Sequence, residues 1–455
     1  MASIEGPVGL RAALGYWLKL GFVSFGGPTG QIAMMHEELV ERRHWISERR
    51  FLHALNYAMV LPGPEAQQLA TYIGWLMHGT LGGIAAGALF VLPSLALLCV
   101  LSFIYVVYGD VPVVAGVLYG VKPAVTAIVV FAAYRIGSRT LHNAALWLIA
   151  AAAFVAIFGF AVPFPYIVLA AAIVGFIGGR LAPQRFAIGG EDHGATKSYG
   201  AALIDDDTPL PAHAGFSWPR TIAYALVGLA LWGGVEGWLY LTFGTDGPLT
   251  QMGWFFTKAA LLTFGGAYAV LPYVYQGGVE TYGWVTAEQM IDGLALGETT
   301  PGPLIMIVAF VGFVGAWTTA AFGPEQLALA GLAGAAVATF FTFLPSFVFI
   351  LIGGPAVEAT RHDVKLTAPL TGITAAVVGV ILNLATFFAW HVFWPEATTS
   401  EPFAGRFEWP SLLIAVAALV ALWRFKIGII PVIGASAAAG LVHALATGYL
   451  PGENA

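Results

Sequence analysis

"KLGFVSFGGPTG", residues 19–30, is answered in the second half of the chain by "KAALLTFGGAYA", residues 258–269. In each stretch a lysine stands six residues ahead of Phe-Gly-Gly inside apolar surroundings. The same 239-residue offset carries Glu41 onto Glu280, Trp45 onto Trp284 and Pro62-Gly63-Pro64 onto Pro301-Gly302-Pro303. So many rare identities in one register mark a duplicated chain. Leu92-Pro93-Ser94 returns as Leu344-Pro345-Ser346 at an offset of 252, so the second half carries an insertion near 313–328.

The surroundings of the repeat name its solvent. Of 455 residues, 58% are hydrophobic and 10% charged, against roughly 25% charged in a soluble domain. Apolar runs at 84–108, 111–134, 143–160, 325–352 and 366–390 are long enough to cross a hydrocarbon core of about 30 Å. Its single cysteine, Cys99, excludes an internal disulfide, a cysteine metal centre and two-thiol redox chemistry. Neither a Gly-x-x-x-x-Gly-Lys-Ser/Thr loop nor a dinucleotide fingerprint occurs, and His36-Glu37-Glu38 falls short of a metalloprotease motif because position 40 is Val. The chain is therefore expected to be no enzyme, with no cofactor, no metal site and no nucleic-acid partner. Its start, MASIEGPVGLR, lacks the signature of a removable signal peptide, so the first helix is expected to be retained.

Residues 1–182 form the first transmembrane repeat and 248–455 the second; 183–217 are a polar linker and 218–247 hold an extra apolar segment. Charge placement sets relative orientation, because short cytoplasmic loops collect Lys and Arg. The loop after the first helix holds Arg42, Arg43, Arg49 and Arg50, and the next basic turn holds Arg135 and Arg139. Their second-half equivalents hold Glu280, Glu288, Glu396, Glu401 and Glu408, with Arg406 the only base. Turns near 110 and 161 lack bases, whereas their partners carry Arg361 and Lys365, then Arg424 and Lys426. The expected fold is thus an all-α polytopic bundle built from an inverted-topology repeat. Five crossings per half fit the charges if 51–77 form a broken hairpin and 221–243 also fail to cross, interrupted at Gly233-Gly234-Val235-Glu236-Gly237. Six crossings per half with a spanning linker helix is the alternative. Gly83 with Gly87, and Gly233 with Gly237, have the spacing of a homodimer face or of internal packing.

Pro-Gly-Pro at 62–64 and 301–303 cannot continue a helix, and a helix restarting there is expected to place Pro64 or Pro303 at its first position. A restart at membrane depth exposes unpaired N–H groups and a positive dipole end, for which an anion is the natural partner. Phe25-Gly26-Gly27 and Phe264-Gly265-Gly266 are a second symmetric pair of breaks. Four interrupted segments point to one site at the repeat interface. Lys19 and Lys258, each costing about 2.5–3.5 kcal/mol near mid-membrane, are expected to face the anion, with snorkelling to a headgroup as the alternative. Gln67 and Gln68 offer amide donors, while their counterparts are Met306 and Ile307. Glu65 and Glu298, beside the breaks, are the candidates for carrying protons. Trp45 and Trp284 read as interfacial anchors, and Thr286 with Gln289 as a capping box.

The chain resembles the chromate ion transporter (CHR) family in its long, two-domain form. The resemblance rests on "FGGPTGQIAMMHEELVERRHWISERRF", "LPGPEAQQLATYIG" and "LPS" in the first half, and on "FGGAYAVLPYV", "YGWVT", "TTPGP" and "FLPS" in the second. It implies a multi-pass protein of a bacterial or archaeal cytoplasmic membrane that exports chromate and confers resistance, driven by membrane potential, a proton gradient or both. A general carrier of sulfate-like oxyanions and an anion channel stand as alternatives. Moving a dianion out of a negative interior releases about 4.6 kcal/mol per 100 mV, which supports a gradient of roughly two thousand at about 1.36 kcal/mol per tenfold. Ala267 against Pro28, and Leu304 to Ile307 against Glu65 to Gln68, make the two halves chemically unequal.

Overall fold

The structure, a computed structural model, describes residues 8–447 apart from Gly26, 187–198, Leu210, Ala212, Gly265, 360–366, 398–400 and Pro402. The first half contains α1 (Leu10–Val23), α2 (Gly27–His36) with a π-helical turn Glu37–Arg42, α3 (Glu48–Val60), α4 (Glu65–Tyr108), α5 (Pro112–Thr140), α6 (Ala144–Phe160), α7 (Phe164–Leu181) and the short α8 (Pro183–Phe186). Then α9 (Trp218–Phe243) stands alone. The second half contains α10 (Pro248–Leu262), α11 (Ala267–Tyr275) with a π-helical turn Gln276–Thr281, α12 (Ala287–Thr299), α13 (Ile307–Thr318), α14 (Leu327–Ala359), α15 (Thr367–Phe393), α16 (Trp409–Trp423) and α17 (Ile429–Thr447). The chain is an all-α membrane bundle in which α4, α5, α7, α9, α14, α15 and α17 are long and apolar enough to cross a bilayer.

The 239-residue offset recurs in the backbone. Gly27 and Gly266 both take positive φ, 71° and 97°, as do Gly63 and Gly302 at 129° and 100°. Both π-helical turns keep the offset, and so do the helix caps that follow: Ser47 accepts from Arg50 N, and Thr286 from Gln289 N within a complete capping box. The second-half insertion lies between α13 and α14, ending in the 3-10 turn Pro324–Gln326.

α4 is two helices. His78 and Gly79 leave helical geometry, and the chain doubles back so that Gly83 packs on Trp75 and Thr71, and Gly87 on Thr71, Gln67 and Phe347. Only glycines allow limbs to approach this closely. Gly83 and Gly87 therefore serve internal packing, whereas Gly233 and Gly237 face open space.

α1, α3, α10 and α12 have 14, 13, 15 and 13 residues, which at 1.5 Å per residue reach about 20 Å and stop inside a 30 Å core. Contacts then sort the element ends into two groups. At one end the Val8 carbonyl accepts from His78 Nε2 (2.8 Å), Leu203 N donates to His44 O (2.8 Å), Asn143 Nδ2 donates to Arg185 O (2.8 Å) and Gly179 packs on Ala368. At the other, Phe164 N donates to Gln276 Oε1 (3.0 Å), Tyr119 OH to Glu408 Oε2 (2.7 Å), and Phe243 stacks on Phe322.

These contacts set where the chain turns. α1 starts at the end where the bend of α4 lies, so α1 and α2 form a hairpin that returns to its own side, as α3 and the first limb of α4 do. The second limb of α4, α5, α6 and α7 then run between the two ends in the first half, and α14, α15, α16 and α17 in the second, α6 and α16 with only 17 and 15 residues. The segment expected to fail, 221–243, is an unbroken helix through Gly233 and Gly234 and joins the two ends. Two glycines cost about 1 kcal/mol each in a helix, less than the several kcal/mol of an unsatisfied backbone group in lipid.

The linker packs against the bundle. Part of it is built into the first end: Ile204 forms a parallel bridge with Ile46, Ser47 Oγ donates to Asp206 Oδ1 (2.7 Å), and His213 Nε2 donates to Trp75 O (2.8 Å). Trp45 and Trp284 are buried, not interfacial. Trp45 packs edge-on against Tyr16 beneath the Arg43 guanidinium, and Trp284 against Phe255 and Phe256. Each ring fills the inside of a hairpin.

Candidate functional site

The four breaks meet in pairs, each from one half against one from the other. Gly63 N donates to Thr263 O (2.7 Å), and Gly302 N donates to Ser24 O (2.8 Å). By the 239 offset these are the same bond made twice, with the halves exchanged. The third repeated motif closes the arrangement: Gly63 packs on Ser346 and Gly302 on Ser94. Positive φ at both glycines and the absence of room for a Cβ explain why only glycine serves there. The prolines lie one position earlier than expected: Pro64 and Pro303 precede their helical turns as caps, with Glu65 and Leu304 the first helical residues.

Three glutamines lie at the breaks, all from the first half, and two of them tie the breaks together. Gln31 Nε2 donates to Gly302 O (2.5 Å) and Ser24 O (3.4 Å), bridging the two halves. Gln68 Nε2 donates to Pro62 O (2.8 Å) and Ser346 Oγ (3.3 Å), and Gln67 Nε2 to Thr71 Oγ1 (3.0 Å). The counterparts of these residues, Val270, Met306 and Ile307, are fully buried apolar side chains. The second half supplies backbone and packing where the first supplies amides.

Beyond these bonds the cluster has unused capacity. Ser24 Oγ, Ser94 Oγ, Gln31 Oε1, Gln67 Oε1 and Gln68 Oε1 are buried without a hydrogen-bond partner. A buried polar atom left unpaired costs about 1–3 kcal/mol, so five at one junction make it a place where a further polar group would be stabilised. The helices that start here, α4 after Pro64 and α11 after Gly266, have no side-chain cap on their first N–H groups. Two carboxyls flank the junction. Glu65 is half-buried with its Oε1 facing Gly266, and Glu298 accepts the hydroxyl of Tyr268.

The structure gathers Pro62, Gly63, Pro64, Glu65, Gln67, Gln68, Gly266, Glu298, Pro301, Gly302 and Pro303 around this junction, with Phe25, Gly27 and Phe264 half-buried at its rim. Gly26 and Gly265 lie outside the described residues. The lysines are not brought in. Lys19 is exposed on the outer face of α1, between exposed Leu18 and Phe22. There it joins Arg42 and Arg43 near Glu38, whose carboxyl is held below the ordinary range first by its hydrogen bond from Arg43 and further by these charges. Lys258 is half-buried with Nζ 5.9 Å from the centre of the Trp254 ring, itself half-exposed.

Sequence reading missed Ser24, Ser94, Ser346 and Gln31. Ser94 and Ser346 stood in a motif already known to repeat, so symmetry was available as a signal. Gln31 had none, because its counterpart is Val270.

The sequence profile described as "Chromate transporter" matches residues 12–176 and 250–441, one stretch in each half. A chromate transport protein of Pseudomonas aeruginosa is 34% identical over 96% of this chain and 93% of its own. One from Cupriavidus metallidurans is 29% identical over 94% of this chain and 92% of its own. A probable chromate transport protein of Synechococcus elongatus is 28% identical over 91% and 90%. No solved structure matches the chain.

Proposed function

We propose that this chain, which belongs to the chromate transporter family, exports chromate by alternating access to the junction of its four breaks. It is a multi-pass protein of the cell membrane. The observation that carries the reading is the doubled cross-pairing of Gly63 with Thr263 and Gly302 with Ser24, surrounded by buried polar atoms without partners. A tetrahedral oxyanion asks for several donors around a small volume. Here the donors are the Ser24 and Ser94 hydroxyls and the helix-start N–H groups, whose bonds to an anion are roughly twice as strong as neutral ones, while the three unpaired amide oxygens can only accept.

The two halves are inverted in this reading. Four passes return the first half to its starting side, α9 carries the chain across, and the second half begins from the opposite face. Arg11, Arg42, Arg43, Arg49 and Arg50 lie at the end shared with Arg139, Arg180, Arg185 and Arg220, whereas Lys122 and Arg406 lie at the other. By the positive-inside rule the basic end faces the cytoplasm.

Glu65 and Glu298 are the proposed proton carriers. A carboxyl beside a bound dianion is repelled when ionised and donates when protonated, so protons and anion bind together. Each proton exported with the dianion removes about 2.3 kcal/mol per 100 mV of electrical drive, so potential-driven export favours few of them.

Chromate flux in proteoliposomes under an imposed potential tests this. Net flux is expected to follow the potential for chromate leaving the negative side and to persist in excess sulfate. Lys19→Ala with Lys258→Ala is expected to change it by no more than about twofold, since neither lysine reaches the junction. Flux abolished by equimolar sulfate indicates a general oxyanion carrier. Flux indifferent to potential removes the proposed drive.

A further inference from the structure

Two clusters of charged and phenolic side chains, one toward each end, are left over once the junction has been described. At the basic end Arg50 of α3 and Glu358 of α14 are both buried, with Nη1 and Oε2 3.9 Å apart. Tyr72 of α4 donates its hydroxyl to Glu358, and Tyr57 of α3 donates to Phe349 O of α14 (3.0 Å). The hairpin of α3 and the first limb of α4 is thereby fastened to a long helix of the other half. At the opposite end Lys122 of α5 lies 3.5 Å from Glu288 and 3.8 Å from Asp292 of α12. Tyr105 of α4 donates to Asp292 Oδ2 (3.0 Å). Here a hairpin of the second half is fastened to long helices of the first.

The two fastenings occupy equivalent places. Arg50 corresponds to Gln289 by the 239 offset, flanked by Glu288 and Asp292; Glu358 corresponds to Val106 by the 252 offset, next to Tyr105. The sign of charge is exchanged. In the first cluster the hairpin brings the cation and the long helix the carboxylate; in the second the hairpin brings carboxylates and the long helix the cation.

We infer that Arg50–Glu358–Tyr72 is the cytoplasmic gate and Lys122–Asp292–Tyr105 the outer gate of the junction, opened in alternation. Each lies on the route by which its hairpin would swing away from the other half, and both are closed in this structure. The gates are unequal. Arg50 Nη2 also donates to the carbonyl of Thr208 (2.7 Å) in the linker, whose Asp206 accepts from Ser47 (2.7 Å). The linker is thus a strap across the cytoplasmic gate. At the outer gate Asp292 is as buried as Glu358, but its cation Lys122 is 25% exposed where Arg50 is 6%. Removing one partner from a buried pair is far more disruptive than removing one from an exposed pair, so the cytoplasmic gate should be the tighter.

The inference rests on reading the junction as a transport site, but its test needs no transported anion. Ser94→Cys in a Cys99→Ser background puts one thiol beside Gly302. Its modification by a membrane-impermeant anionic thiosulfonate is timed in right-side-out and inside-out vesicles. Glu358→Gln is expected to raise the rate at least about fivefold from the cytoplasmic face alone, and Asp292→Asn from the outer face alone. Equal acceleration from both faces, or none in either variant, would overturn the assignment. Should Glu358→Gln fail to give monodisperse protein, Asp206→Ala decides. It touches only the strap and is expected to raise cytoplasmic labelling two- to threefold with an unchanged melting temperature; no change rejects the strap. A protein that gates normally yet carries no chromate contradicts the transport reading and leaves the gates standing.

Discussion

Gly302→Ala is expected to lower chromate flux about 100-fold while leaving folded, monodisperse protein. Two costs add at this residue. Its φ of +100° is a conformation that a residue with a Cβ adopts at a cost of about 1–3 kcal/mol. The new Cβ would also stand 2.7 Å from Ser94 Cβ, too near for carbon, and a serine Cβ cannot rotate aside. The backbone must shift, and with it the bond from Gly302 N to Ser24 O. At about 1.36 kcal/mol per tenfold, a loss near 3 kcal/mol gives the stated factor. Adding Ser94→Gly removes the overlap but not the φ strain, so the double variant should recover part of the lost thermal stability but not the flux, since the Ser94 hydroxyl goes with it. Flux in the single variant within twofold of the parent would show that the junction tolerates displacement and is not the transport site.

Gln31→Leu is expected to lower flux by roughly thirtyfold and the melting temperature by several degrees. Its amide serves two buried carbonyls, those of Gly302 and Ser24, and leaving buried acceptors unpaired costs about 1–3 kcal/mol. Packing is largely preserved, because leucine is close to glutamine in volume though one atom shorter. Gln31→Glu should be worse at neutral pH, since an ionised carboxylate would face two carbonyl oxygens with no donor to give. The order parent, Leu, Glu in thermal unfolding separates a bridging amide from a mere space-filler, which predicts Glu and Leu alike.

The breaks were legible because proline and paired glycine act through the local backbone, and the duplication named them twice. Pro62, Gly63 and Pro64 could be read as an interruption without any knowledge of what packs against them. How the interruptions meet was not legible. The bonds from Gly63 to Thr263 and from Gly302 to Ser24 join residues about 200 or more positions apart, and no local rule selects Thr263 over its neighbours. Gln31 was hidden for the related reason that its role exists in one half only.

Where sequence reading erred, a local preference lost to its surroundings. Gly233 and Gly234 weaken a helix in water, but lipid offers their backbone no alternative bond, so α9 runs through them. Trp45 and Trp284 have the chemistry of interfacial rings and found instead a filled interior within each hairpin. The lysines show the limit of symmetry as a guide to function. Lys19 and Lys258 repeat at the same offset as the breaks, yet Lys19 lies on the exposed face of α1 and Lys258 beside Trp254, on helices that end at Val23 and Leu262 before the breaks begin.

The most direct test is to locate bound chromate, by anomalous scattering at the chromium edge or by difference density with and without the anion. A chromium position between the Gly63 and Gly302 breaks, with oxygens in hydrogen-bond reach of Ser24 Oγ and Ser94 Oγ, is the predicted result. Chromium seated at Lys19 or Lys258, or anywhere outside the junction of the four breaks, would contradict it.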